Sequence, residues 1–145
     1  LAQESGFHPL FVFSLVRQES LFVGFVRSSA GARGLMQTMP ATGADIHKNL
    51  AWPTDYTSAD LYCPRVSLNY GIHYLAKQRD AFDGNLYAAL AAYNGGPGNS
   101  LAWQKLAPDD PDLFLEIIRY SETRNYIRGI YEIFSLYSKI YDRTP

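Results

Sequence analysis

Along this chain apolar residues recur three and four positions apart in several stretches, and no stretch alternates apolar and polar residues for long, so the pattern predicts helices and almost no strand. His8-Pro9 opens a first helix whose Leu10, Phe11, Val12, Phe13, Leu15 and Val16 make it apolar nearly all round, hence central to a core, and it runs into Glu19. Residues 23–34, with their glycines and serines, read as an irregular loop, after which Pro40 starts a short helix through Ile46. Residues 49–57, containing Trp52-Pro53, read as a surface excursion. Pro64 precedes a helix that places Leu68, Ile72 and Leu75 on one side. After the turn Asp83-Gly84-Asn85, an alanine-rich helix over residues 86–93 has side chains small enough for close neighbours, and residues 94–98 end it abruptly. Asp110-Pro111 is a cap and first turn for a helix bearing Leu113, Phe114, Ile117 and Ile118. From Ser121 as N-cap, a last helix carries the stripe Ile127, Ile130, Tyr131, Phe134, Tyr137 and Tyr141, with Arg128, Glu132 and Lys139 in water. With no repeat, low-complexity tract or linker, residues 1–145 are expected to form one mainly α domain.

A length of 145 residues is enough to bury a continuous core, and 47% apolar with 19% charged residues is ordinary for a globular protein. No apolar run approaches the roughly 20 residues that span a bilayer, so no membrane span is expected. The formal net charge of -1 and the absence of Lys/Arg runs argue against nucleic acid, whose binding rests on neutralising phosphates. Eleven Tyr, eight Phe and two Trp suit a helical core and also a carbohydrate groove, where an amphipathic ring stacks on sugar. The single Cys63 cannot close an internal disulfide and reads as a buried free thiol. His8, His47 and His73 are isolated, no cluster has metal-ligand spacing, and neither a metal nor a cofactor is expected. The chain opens at Leu1 without an initiator Met or signal-peptide pattern, as a mature form or a piece of a longer protein would.

If the first helix persists to Glu19, the positions three, four, seven and eight before it are Val16, Leu15, Val12 and Phe11, all apolar and all on its face. Desolvation there disfavours the carboxylate and raises the pKa, which is what a general acid toward a glycosidic oxygen needs. A Glu at a helix end that bends out to water is the other reading. No second carboxylate partner is obvious, because Asp45, Asp60, Asp80 and Asp83 lie in contexts that read as helix surface, cap or turn.

Four segments favour the first of those readings: Gln18-Glu19-Ser20, Gly31-Ala32-Arg33-Gly34-Leu35-Met36-Gln37, Ala92-Tyr93-Asn94-Gly95-Gly96-Pro97-Gly98 and Glu122-Thr123-Arg124. Their order and spacing resemble the catalytic domain of the soluble lytic transglycosylases, glycoside hydrolase family 23, from about Pro9 to about Tyr137. The resemblance implies a compact lysozyme-like multi-helix fold of the goose type, with a substrate groove and little or no β-structure. It implies that Glu19 is the only catalytic carboxylate and that the substrate is the glycan strand of peptidoglycan. Glu19 would protonate the oxygen between N-acetylmuramic acid and N-acetylglucosamine while the acetamido group assists. As carboxylate it would then take the proton of the C6 hydroxyl that attacks C1, giving a 1,6-anhydro end without consuming water.

Ser20, Ser28, Gln37, Met39, Tyr93, Asn94 and Glu122 match supporting positions of the family. Ser28 would look toward the acetamido group, Gln37 would offer a donor and an acceptor to sugar, and Met39 would line the groove. Tyr93 would lie close to the acid and the reacting sugar, within a motif that continues through Asn94. Glu122 would line the groove without being the nucleophile, and Arg124 would be structural, pairing a carboxylate. Two departures stand out: Gly95 replaces the usual Ala, and Leu21-Phe22-Val23-Gly24 lacks the Asn-Pro often found there. An envelope location, periplasmic or extracellular, and a monomeric state are expected. A lysozyme-like hydrolase on the same fold and a non-catalytic glycan-binding or assembly module are the alternatives.

Overall fold

The computed structural model describes residues 1–107 and 110–142. Among them are seven α-helices and one 3-10 turn, and β-pairing is limited to two isolated bridges, Arg27 with Arg33 and Arg33 with Thr38. The helices are α1 (Pro9–Ser20), α2 (Pro40–Leu50), α3 (Pro64–Ala81), α4 (Leu86–Gly95), α5 (Pro97–Gln104), α6 (Pro111–Ile117) and α7 (Ser121–Tyr141), with the 3-10 turn at Asp60–Tyr62. No helix among the described residues is long and apolar enough to cross a membrane. The chain divides into two compact units, Leu1–Tyr74 and Leu75–Pro145.

In the first unit His8 caps α1, its Nδ1 accepting from the Leu10 N–H at 3.2 Å, and Pro9 fills the first turn, where a missing N–H costs nothing. Phe11, Val12, Leu15 and Val16 are buried, while Phe13 is exposed, so the helix is less uniformly interior than its composition predicts. α2 runs four residues beyond the expected end at Ile46. The excursion over residues 49–57 is not purely a surface feature: Trp52 and Tyr56 pack on the cluster of Ile46, Leu61, Val66 and Tyr70. The Tyr70 hydroxyl donates to the Trp52 carbonyl at 2.6 Å, and the His47 ring stacks on Tyr56. Burial, then Tyr56, then Asp60 push the Tyr70 phenol up to about 12. Cys63 is free but exposed, contrary to the expected buried thiol, because it sits in the link between the 3-10 turn and the Pro64 start of α3.

In the second unit Asp83 and Gly84 both have positive φ, and Asn85 caps α4 through its side-chain oxygen. Ala88, Ala89, Leu90, Ala91 and Ala92 are all buried, so α4 is interior on every side and packs against α5, α6 and α7. The helix continues through Asn94 and Gly95 and breaks only at Gly96, whose φ is +89°, and Pro97 at once starts α5, an element that reading residues 94–98 as a terminator did not anticipate. The Ser100 hydroxyl in α5 donates to the Ala88 carbonyl at 2.6 Å. Asp110 caps α6 by accepting from the N–H groups of Asp112 and Leu113. α7 begins at Ser121 with Tyr120, not Ser121, in the cap position. In the apolar stripe Ile127 and Ile130 are buried, Tyr131, Phe134 and Tyr137 are half-buried and Tyr141 is exposed, so its cover thins toward the end of the helix.

Candidate active site

Glu19 is the penultimate residue of α1 and is half-buried. Val16, Leu15, Val12 and Phe11, one and two turns before it on the same side of the helix, are 2%, 0%, 3% and 3% exposed, so the helix leading to Glu19 is apolar and buried there. Ser20 closes the helix with a buried hydroxyl, 2.9 Å from the Leu35 carbonyl and 3.1 Å from the Val16 carbonyl. One O–H shared between the two ties the residue after Glu19 to the loop that carries Met36 and Gln37.

That loop is organised by its own polar groups. Ser28 and Ala32 bind twice: the Ser28 N–H donates to the Ala32 carbonyl, and the Ser28 hydroxyl accepts from the Ala32 N–H, both at 3.0 Å. The hydroxyl is therefore left with its hydrogen to give. Gln37 has φ 46° and donates through its amide nitrogen to the carbonyls of Gly34 (2.8 Å) and Val26 (3.2 Å). Both its N–H groups are spent inside the protein, so only its carbonyl oxygen remains for a ligand. Gly34 has φ +75°, and a Cβ there would collide with the Leu61 carbonyl. Arg33 donates to the Ser58 carbonyl and hydroxyl at 2.9 Å each and lies over the Tyr62 ring. Met36 is fully buried, its N–H bound by the Ser67 hydroxyl, whereas Met39, at the start of α2, is 40% exposed. Ser67 had no sequence signal as a partner of this loop; Arg33 lay inside a matched segment without an assigned role.

In the second unit the last turn of α4 presents half-buried Tyr93 and Asn94. The buried Thr123 hydroxyl donates to the Asn94 side-chain oxygen at 2.8 Å, which joins the third and fourth matched segments. Thr123 was legible only as the middle residue of its motif. Glu122, beside it in the first turn of α7, is exposed, where its charge suits the helix dipole. Arg124 donates to the Ile118 carbonyl at 3.3 Å. Among the described residues no group of three or more His, Cys, Asp or Glu is placed to hold a metal ion.

The structure thus joins Ser20 to the loop bearing Gln37 in one unit and Asn94 to the start of α7 in the other. Comparison with known proteins gives this arrangement its family. Residues 1–113 match the family model described as the transglycosylase SLT domain. The soluble lytic murein transglycosylase of Escherichia coli K12 is 34% identical over 122 residues, covering 83% of this chain and 19% of that protein. The membrane-bound lytic murein transglycosylase C of Actinobacillus pleuropneumoniae is 29% identical over 90% of this chain and 41% of its own length. An inactive mutant of the lytic transglycosylase Slt from Pseudomonas aeruginosa superposes with a TM-score of 0.87 at 33% identity, covering 97% of this chain and 23% of that one. The chain spans about a fifth of the length of these soluble relatives. With the family model matched over most of its length, the chain belongs to the transglycosylase SLT-domain family.

Proposed function

We propose that this chain is the catalytic domain of a peptidoglycan lytic transglycosylase acting in the cell envelope, with Glu19 as its acid and base. The observation that carries the reading is the place of Glu19: a half-buried residue at the end of α1, following the buried Phe11, Val12, Leu15 and Val16, inside a chain of the SLT family. Its partial exposure leaves it able to reach a ligand. Protonated Glu19 gives its proton to the oxygen linking N-acetylmuramic acid to N-acetylglucosamine, and that C1–O bond breaks. The muramic acetamido oxygen closes on C1, which supplies the nucleophile that other glycosidases take from a second carboxylate. Glu19, now a carboxylate, accepts the C6 hydroxyl proton as that oxygen bonds to C1 and the bond from C1 to the acetamido oxygen breaks, leaving a 1,6-anhydro ring, a free acetamido group and a regenerated acid.

The supporting roles follow from what each side chain has left to give. Ser28 retains a hydroxyl hydrogen for the acetamido oxygen, and Gln37 retains a carbonyl for a sugar N–H or O–H. Met39 offers exposed apolar area to the groove. Asn94 accepts from Thr123 beside Tyr93, and the role of the Tyr93 phenol in this reading is to stabilise developing positive charge. Glu122 contributes negative charge to the groove wall. The residues act as one domain on glycan strands of the envelope, as a monomer and without metal or cofactor.

The test is the mass of the products released from purified sacculi. Each cut adds one water under hydrolysis and none under transglycosylation, so anhydro ends support the reading and reducing ends replace it with a lysozyme-like hydrolase. Glu19→Gln is expected to lower turnover by at least about a thousandfold. A variant that cleaves at the parent rate removes the mechanism. A parent protein that binds sacculi without cutting them makes the chain a binding module.

A further inference from the structure

Immediately after α1 the surface turns apolar. Leu21 is 72% exposed, Val23 38% and Phe25 83%, and Phe22, 48% exposed, meets the equally exposed Phe13 of α1 edge-on at 6.4 Å. A contiguous apolar patch on a globular surface marks a binding face. This one is held in place. Leu21 and Phe22 have φ 50° and 64°, a left-handed conformation that bulky side chains rarely adopt, and it turns the chain sharply away from the helix. The Val23 N–H donates to the Ser20 carbonyl, and the Val26 carbonyl accepts from the Gly34 N–H and from Gln37, so both stems are pinned.

Charge identifies the occupant. Between residues 13 and 33 the single acid is Glu19, and of the three arginines Arg33 is turned to Ser58 and Tyr62, which leaves Arg17 and Arg27. Arg17 and Arg27 flank the patch and are exposed, and Arg27 makes no ion pair among the described residues. Phe, Leu and Val carry no polar atom with which to satisfy a sugar hydroxyl, unlike the Tyr and Trp that suit carbohydrate. Arginine heads bind phosphate while their stems lie along apolar surface. At about 100° per residue, Phe13 and Arg17 lie roughly 120° and 160° around α1 from Glu19, on a different side of the helix.

We propose that residues 21–25, backed by Phe13 and flanked by Arg17 and Arg27, form a docking tip that inserts into the headgroup and acyl boundary of a bilayer containing anionic phospholipid. This does not depend on the glycan chemistry. The test is co-sedimentation of the 145-residue chain with vesicles of phosphatidylcholine alone or with added phosphatidylglycerol. Binding is expected with phosphatidylglycerol, to weaken in its absence, and to fall as salt rises. The pair Leu21→Ser and Phe25→Ser is expected to weaken binding by at least about tenfold, and Arg27→Gln by roughly fivefold, with sacculus cleavage unchanged. Thermal melting identifies variants that remain folded, and Phe25→Ser alone serves where the pair does not fold. No vesicle binding by the parent at low salt overturns the proposal, as does equal binding by the folded variants. So does a variant that keeps vesicle binding and loses sacculus binding, which makes the tip a glycan platform.

Discussion

Residues 20–38 of the first unit and the α4–α7 pair of the second both carry matched motif residues, but they are held by different means. In the first region the backbone is irregular, and side chains hold it: Ser20 to the Leu35 carbonyl, Gln37 to Gly34 and Val26, Arg33 to Ser58. In the second the backbone is helical and self-satisfied, α4 is buried through its alanines, and the hydrogen bond from Thr123 to Asn94 and the stacking of Tyr87 on Tyr131 tie α4 to α7. An irregular loop has many backbone groups that no helix satisfies, so its polar side chains serve the protein first and a ligand second. Helices leave their side chains freer for chemistry.

The sharpest way to break the first region is to deny it space. Gly34→Ala forces a Cβ into the Leu61 carbonyl at a positive φ and is expected to cost more than about 3 kcal/mol, seen as loss of a cooperative melt. Gly84→Ala in the second unit is the control: its φ is +86° but nothing lies within 4 Å, so only the left-handed penalty of about 1 kcal/mol applies. Equal effects from the two would show that backbone angle, and not room, governs Gly34.

Removing single polar links compares the two modes directly. Thr123→Val keeps the shape, strips the bond to Asn94, and is expected to cost about 1–2 kcal/mol, with turnover falling because Tyr93 precedes the freed Asn94. Ser20→Ala is expected to cost about 1 kcal/mol, since the Leu35 carbonyl loses its donor but neighbouring links remain. Chemical denaturation read beside turnover separates them. A stable Thr123→Val protein with parent turnover would remove that junction from the site.

A smaller effect, equal in kind for both units, lies at high pH. Burial, then Tyr87, pushes the Tyr131 phenol up to about 12, and Tyr70 in the first unit is raised to the same value. A folded pKa above the unfolded value near 10 means the folded state holds the phenol proton more tightly. Stability from these groups is therefore whole below about pH 10 and drains away as pH rises toward 12. Melting temperatures taken across that window should fall less steeply for Tyr131→Phe than for the parent. Parallel slopes would show that Tyr131 ionises without reference to folding.

How much of this was legible in the sequence follows the same division. Helices announced by Pro and a capping side chain were readable, as at His8-Pro9 and Asp110-Pro111, because cap and start are local chemistry. α5 was missed because Gly-Gly-Pro-Gly ends one helix and starts another with the same residues. The partly buried segment with Trp52 and Tyr56, and the exposed Cys63, depend on packing against residues distant in sequence, which periodicity does not report. At the candidate site the motif positions were visible, but not what each side chain spends internally. Gln37 had a donor and an acceptor by composition, and only the fold shows that the donors are taken.

Gly95 offers the finest comparison, since the family's usual residue there is Ala. It is the last residue of α4, and a Cβ would meet the Thr123 hydroxyl at 3.1 Å and the Trp103 ring at 3.4 Å. Replacing a helical Gly by Ala gains up to about 1 kcal/mol in a helix interior, and less at an end where the backbone frays. Against it stands a contact tight enough that Thr123 must yield by a few tenths of an ångström while keeping its bond to Asn94. The two nearly cancel, so Gly95→Ala is expected to change stability by less than about 0.5 kcal/mol. A loss of about 2 kcal/mol or more would mean that the Thr123–Asn94 link cannot shift, and that the α4–α7 junction is as intolerant of added volume as the loop at Gly34.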